Sequence, residues 1–270
     1  NAIDDSLMGV DLVLRGDDHL SNTPRQIALL QALELPLPKF AHVSLFTGSD
    51  GAPLSKRNGS LSVKDLKKLG YLPKAVANYL ARVGHTISDN DLKTLEQLSD
   101  SFQTQNISSS PSKFDLDQLL FWQKRTVESL TVQESDVWLS EYLTNLPADI
   151  DREDFIKLIK ENINFPLEAK EYIDNLFFTN LKDSETVKDI LTSAGKEFFE
   201  SAHKVVSKGI DDWGYTVKSI GEESGKKGKE LFMPLRAAIT GQTTGPELDK
   251  VVSLVGLERV LVRLTEASKL

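Results

Sequence analysis

The chain has no cysteine among its 270 residues, so a disulfide framework and any thiolate metal site are excluded, in keeping with a cytoplasmic protein. Nor does it contain an apolar run of about 18 residues or an apolar stretch near its start flanked by basic residues. Neither a membrane span nor a secretory leader is expected. Histidine is scarce: His19, His42, His85 and His203 are the full set, and none stands at metal-ligand spacing from another, so no zinc site is expected. Positive charge is also in deficit, with 32 basic against 40 acidic residues and a net charge of −8, a balance that opposes indiscriminate adhesion to nucleic acid. No internal repeat is visible. What remains is a 40% hydrophobic chain, long enough for two or three globular units.

The charge is unevenly distributed. Between Leu54 and His85 stand seven basic residues (Lys56, Arg57, Lys64, Lys67, Lys68, Lys74 and Arg82) against one acid, Asp65. This gives a local +6 and leaves −14 for the rest of the chain. Such a segment attracts phosphate; a solvated lysine-rich helix face is the alternative. At its head lies GAPLSKRNG, residues 51–59, a loop that offers backbone donors, the Ser55 hydroxyl and the cations of Lys56 and Arg57. That set is suited to a polyphosphate, although an ordinary basic turn has the same composition.

Short apolar runs at 10–14 and 41–46 have strand length, and between them Thr23-Pro24 reads as a helix cap and first turn, with Ile27, Leu30 and Leu33 at helical spacing. Strand, helix, strand implies a parallel crossover, whose ligands bind beyond the carboxyl ends of the strands. Both the polar cluster 15–22 and the loop 47–59 follow such ends.

Downstream of Gly59 the periodicity is helical: Ser62 caps 63–69, and Pro73 opens a helix through Val76, Tyr79, Leu80 and Val83. The polar, serine-rich stretch 103–113 reads as a linker, with a boundary near Ser110. Beyond it, one helix is expected through Leu116, Leu119, Leu120 and Val127, with Trp122 in its packing. Others are expected at 137–143, 155–159 and 167–178, and a last one has Pro246 in its first turn and Leu248, Val251, Val252 and Val255 on one face.

Three segments carry a resemblance. VLRGDDHLSNTPRQ (13–26) is similar to the VIRGEDHLSNTPRQ stretch of bacterial glutamyl-tRNA synthetases, LSKR (54–57) resembles their form of the class I KMSKS loop, and GYLPKAVANYLARVG (70–84) is similar to the segment that follows it. Weaker likeness continues through KFD (113–115), GKELFMPLR (228–236), TG (240–241) and GPEL (245–248). The resemblance implies an α/β remnant, the carboxyl-terminal half of a class I Rossmann catalytic domain, over 1–60. A helical stem-contact region at 61–110 and a helical anticodon-binding domain at 111–270 would follow, making the chain predominantly α.

It also implies ATP-dependent joining of glutamate to tRNA(Glu), and possibly tRNA(Gln), through a glutamyl-adenylate formed with Mg²⁺. Lys56 would neutralise charge on the pyrophosphate while Ser55 and Arg57 shape the loop. Arg15 has the planar fork that grips a carboxylate and matches the glutamate-binding arginine; an ion pair with Asp17 or Asp18 is the structural alternative. Asp18 would help place the amino acid, and His42, Leu45 and Phe46 would wall the adenine site. Lys64, Lys67, Lys68 and Arg236 are the tRNA-contact candidates. Phe232, Arg236 and Trp213 have the right chemistry for holding unpaired bases, but each such residue is more often plain core or a salt bridge.

Two departures stand out: Pro53 occupies the loop's usual leading lysine position, and no HIGH-like segment occurs. The chain is therefore expected to be the carboxyl-terminal portion of a synthetase, inactive by itself. A non-catalytic tRNA-binding module and a helical interaction scaffold are the competing readings.

Overall fold

The computed structural model describes residues 1–48, 51–52, 54, 62–87, 89–108, 110–181 and 184–270. Ser55, Lys56 and Arg57 lie outside the described residues. The chain divides into two compact units, Asn1–Thr126 and Val127–Leu270.

The proximal unit opens with helix α1 (Ala2–Leu7), which sequence reading had not anticipated, and continues through strand β1 (Leu12–Gly16), a 3₁₀ turn (Asp17–Asn22), helix α2 (Thr23–Ala32) and strand β2 (Lys39–Val43). β1 and β2 are parallel neighbours, as the crossover pattern requires, with Leu14 opposite Ala41 and Arg15 opposite His42. The expected 10–14 strand lies two residues later. The expected 41–46 strand breaks at Ser44, whose hydroxyl donates to the carbonyls of Ser108 and Ser110. Beyond the break, β3 (Phe46–Thr47) joins a second sheet, parallel to β4 (Ser112–Lys113).

Residues 103–113, read as a linker, are therefore stitched into the proximal unit. His85 bridges Ile107, the Ser108 amide donates to Gly84, and Phe114 donates to Thr47. Polar composition misled because these side chains and amides satisfy distant backbone groups rather than solvent. The division lies further on, inside helix α6.

Helix α3 (Val63–Leu69) begins at the expected cap: the Ser62 hydroxyl accepts from the Asp65 amide and the Asp65 carboxylate accepts from the Ser62 amide. It ends at Gly70, whose φ of 93° is the left-handed stop that glycine tolerates best. Helix α4 (Pro73–Leu80), helix α5 (Leu95–Ser101) and helix α6 (Leu116–Ser129) follow. Leu66, Ala75, Tyr79, Leu119 and Trp122 form their small core, so Trp122 packs as expected. Of the three apolar positions expected to face inward from α2, only Leu30 is buried; Leu33 lies beyond the helix end and is exposed.

The distal unit is helical. It comprises α7 (Val132–Leu139), α8 (Arg152–Ile159), α9 (Pro166–Ile173) running into a π-helical turn (Asp174–Phe178), α10 (Glu185–Ala194), α11 (Lys196–Val206), α12 (Trp213–Ser224), α13 (Lys229–Thr240) and α14 (Leu248–Ala267). The helix expected at 137–143 instead starts at the Thr131–Glu134 capping box and ends at Leu139, leaving Val137 exposed. Pro246 precedes the Glu247 cap of α14 rather than entering its first turn. Leu248, Val251, Val252 and Val255 are buried as the spacing predicts, and α14 kinks at Gly256, where φ is 81°. Among the described residues no helix is long and apolar enough to cross a membrane.

Candidate active site

The site grows from the parallel register of β1 and β2. Side chains opposite one another in a parallel pair point to the same face, so Arg15 and His42 share one. Phe40, two residues before His42, shares it too, and the Arg15 guanidinium lies over its ring at 5.3 Å from the centroid.

Thr23 sits above this face. It was expected to cap α2, yet it is the first helical residue and Asn22 takes the cap position without a side-chain bond. The buried Thr23 hydroxyl instead accepts from Arg15 Nη2 at 2.7 Å and lies 2.9 Å from His42 Nε2. Its hydroxyl is thus directed to the site rather than to the helix end.

Among the described residues Arg15 makes no ion pair. The nearby acid Asp18 pairs with His19 at 3.7 Å, and the expected alternative, an Arg15 bridge to Asp17 or Asp18, does not form. An arginine retains its charge under all ordinary conditions, and one held by a hydroxyl on one side and a ring beneath is oriented but not neutralised. Such a group is ready to receive a carboxylate or a phosphate.

Gly16 brings two further expected residues to the same place. A β-carbon there would stand 2.4 Å from Asp18 Oδ1 and 2.9 Å from Leu45 Cδ2, so the absence of a side chain lets the Asp18 carboxylate and the Leu45 methyl approach the strand end. Phe46 follows in β3, and its carbonyl accepts from the Leu54 amide at 3.2 Å while Gly48 donates to Ala52 at 2.8 Å. Leu54, immediately before 55–57, is thereby fixed beside Phe46. Arg15, Asp18, His42 and Leu45 are gathered at the carboxyl ends of β1 and β2, and Phe46 opens β3 just beyond. Sequence reading missed Thr23 as their companion, because its role appears only when the β1–β2 register is known.

The basic segment divides. Lys64, Lys67 and Lys68 are exposed on α3 and form no ion pair among the described residues. Arg82, by contrast, stacks over Trp122 at 4.1 Å, donates to Asn78 and to the Asp91 carbonyl, and pairs with Asp89 at 3.6 Å. It serves the fold. In the distal unit Arg236 donates to the Pro246 carbonyl at 2.8 Å, Trp213 is buried and Phe232 is half exposed.

Two protein-family models match the chain: tRNA synthetases class I (E and Q), catalytic domain, over residues 1–121, and the anticodon binding domain over 135–268. Along both matched stretches the chain is similar to the class I tRNA synthetases of the E and Q group. It is 46% identical over all its residues to glutamate–tRNA ligase 1 of Halorhodospira halophila and 43% identical over 268 residues to glutamate–tRNA ligase 2 of Coxiella burnetii. It spans 56% and 57% of their respective lengths. A crystal structure of a glutamate tRNA ligase from Elizabethkingia meningosepticum, in complex with its amino acid, has the same fold, with a TM-score of 0.85 at 20% identity over the whole of this chain and 59% of that one. The class I fold assignment, with a small parallel remnant followed by helices, holds.

Proposed function

We propose that this protein is a glutamate–tRNA ligase. Glutamate and ATP form glutamyl-adenylate and pyrophosphate; the glutamyl group then passes to the terminal adenosine of tRNA(Glu), releasing AMP. The observation that carries the reading is the Arg15 guanidinium, oriented by Thr23 and Phe40 with no carboxylate of its own within 4 Å among the described residues.

Arg15 takes a carboxylate of glutamate in its fork, and the half-exposed Asp18 carboxylate, brought close by Gly16, faces the ammonium group. His42, Leu45 and Phe46 wall the adenine. Lys56 meets the pyrophosphate oxygens as charge develops there, with Ser55 and Arg57 closing the loop, whose near end is held through Leu54 to Phe46. Mg²⁺ enters as MgATP, carried on the substrate's phosphates.

On this reading residues 1–60 serve activation, the remainder of the proximal unit to Thr126 serves the acceptor stem, and the distal unit Val127–Leu270 serves the anticodon. Lys64, Lys67 and Lys68 contact RNA phosphates and Arg236 lies toward the anticodon end.

The test is pyrophosphate exchange by the product of the complete reading frame. Exchange that requires glutamate and falls at least about a hundredfold in Arg15→Ala is expected. Exchange supported equally by another amino acid, or untouched by that substitution, overturns the reading. Acylation of transcripts for tRNA(Glu) and tRNA(Gln) side by side decides whether both are charged. Salt-dependent tRNA binding with no exchange would leave the tRNA-binding module in its place.

A further inference from the structure

Resting on the glutamate reading of Arg15, we infer that Thr23 and His42 are positioning residues for amino-acid recognition, acting as a relay behind the guanidinium. Three observations meet here. Arg15 and His42 are register partners across β1 and β2, so neither can rotate away from the shared face without leaving the ladder. The buried Thr23 hydroxyl stands between them at 2.7 and 2.9 Å. It has no helix-capping bond that would otherwise explain a polar group at that spot.

The proton inventory gives the relay a direction. Arg15 Nη2 can only donate, so Thr23 Oγ1 accepts there, and its own hydrogen is free to point at His42 Nε2. The relay assigns Nε2 the acceptor role, which puts the ring N–H on Nδ1. The chain runs from guanidinium to hydroxyl to imidazole, and each bond polarises the next.

Its effect is orientational. One Nη2 hydrogen is committed to Thr23, which fixes the guanidinium plane and leaves the second Nη2 hydrogen and those of Nη1 for a carboxylate. An arginine fork misaligned by a rotamer step keeps its charge but loses the paired geometry that a carboxylate recognises. Without the hydroxyl, Phe40 stacking alone leaves the plane free to swivel over the ring. The relay therefore acts mainly on how well glutamate is held, with a smaller effect on ATP through His42 and none on tRNA.

Two measurements test this on the product of the complete reading frame. In the first, Thr23→Val removes the hydroxyl at nearly constant volume and Thr23→Ser restores it. Thr23→Val is expected to raise KM for glutamate about tenfold or more with KM for ATP within about twofold, and Thr23→Ser to return it to near the parent value. An unchanged glutamate KM in Thr23→Val, or equal changes in the KM for ATP, overturns the inference. Arg15→Lys, run beside it, separates the two levels. If Arg15→Lys leaves the glutamate KM unmoved, the glutamate-site reading has failed; if it raises KM while Thr23→Val does not, only the relay has failed.

In the second, nitrogen-15 spectra of histidine-labelled protein, with His42 assigned by its loss in His42→Gln, report the tautomer. An Nδ1–H ring whose Nε2 signal shifts on Thr23→Val is expected. An Nε2–H ring indifferent to Thr23→Val overturns the relay even if both activity variants fold poorly.

Discussion

Among the described residues, the buried apolar side chains of the distal unit form one large cluster running from Leu139 to Ala267, whereas the proximal unit has a small cluster of Leu66, Ala75, Tyr79, Leu119 and Trp122, with Ala2, Leu30 and Leu98 buried apart from it. The proximal unit instead leaves Leu12, Leu14, Leu29, Leu33 and Leu37 exposed and is knitted by directed polar contacts. Asn78 donates to the carbonyls of Lys74 and Lys93, Gln123 joins the two sides of the turn at Gly70 and Leu72, and the Asp115 amide donates to the Tyr79 hydroxyl. Apolar burial supplies stability without direction, while hydrogen bonds supply direction with little net stability. The unit bearing the candidate chemistry is thus organised for orientation, and its all-helical companion for cohesion.

The sharpest way to break this contrast lies in the distal unit, where one polar group matters. Arg263 is buried and donates to the carbonyls of Thr179 and Asn175, satisfying the end of the π-helical turn. Burial holds its guanidinium below the ordinary arginine range, the Glu266 carboxylate offsetting part of this. Arg263→Ala is expected to lower stability by about 3–4 kcal/mol in urea titration, the largest effect on folding foreseen, since two carbonyls lose their donor as a cavity opens. A change below about 1 kcal/mol would mean that the apolar cluster alone carries this unit.

Gly16→Ala sharpens the proximal side. The new methyl must push aside the Asp18 carboxylate and the Leu45 side chain, both ends of flexible groups, so the cost in Tm is small while glutamate KM rises about tenfold. A large fall in Tm with unchanged KM would reverse the assignment of orientation to this unit. Tyr79→Phe removes the acceptor of the Asp115 amide from an otherwise buried ring. A loss of about 1–2 kcal/mol is expected, with faster amide exchange at Asp115 as the direct sign.

The smallest effect concerns pH. Burial raises the pKa of Glu168 above the usual carboxylate range, its acceptance from the Asn164 and Phe165 amides offsetting only part of that. A carboxyl that holds its proton more tightly when folded contributes fully below its unfolded pKa and loses that contribution as pH climbs through the folded value. Glu168→Gln, which keeps an acceptor for those amides, is expected to raise Tm by about 1–2 °C at pH 7 and by nothing at pH 4. A gain of equal size at both pH values would remove ionisation as the cause.

Local signals were legible in the sequence where the chain's neighbours decide the outcome. The Ser62 cap and the apolar face of Leu248, Val251, Val252 and Val255 follow from residues within a turn or two. Positions decided by distant partners were not. The 41–46 strand breaks because Ser44 is drawn to carbonyls more than sixty residues away, and the 103–113 stretch looked like a linker because its partners at 47, 84 and 85 are remote. The site divided on the same line: Arg15, Asp18, His42, Leu45 and Phe46 could be named from resemblance, whereas the bond between Thr23 and His42 exists only through strand register.

The short parallel strap between Phe46–Thr47 and Ser112–Lys113 has a mechanical consequence. Phe114 is bonded to Thr47 and Asp115 to Tyr79, so the root of the basic loop shares a joint with α4 and the start of α6. A ladder slips only in whole-residue steps that turn side chains over. A one-residue slip there would turn Phe46 and Thr47 over, so Phe46 and the approach to α6 hold one register together.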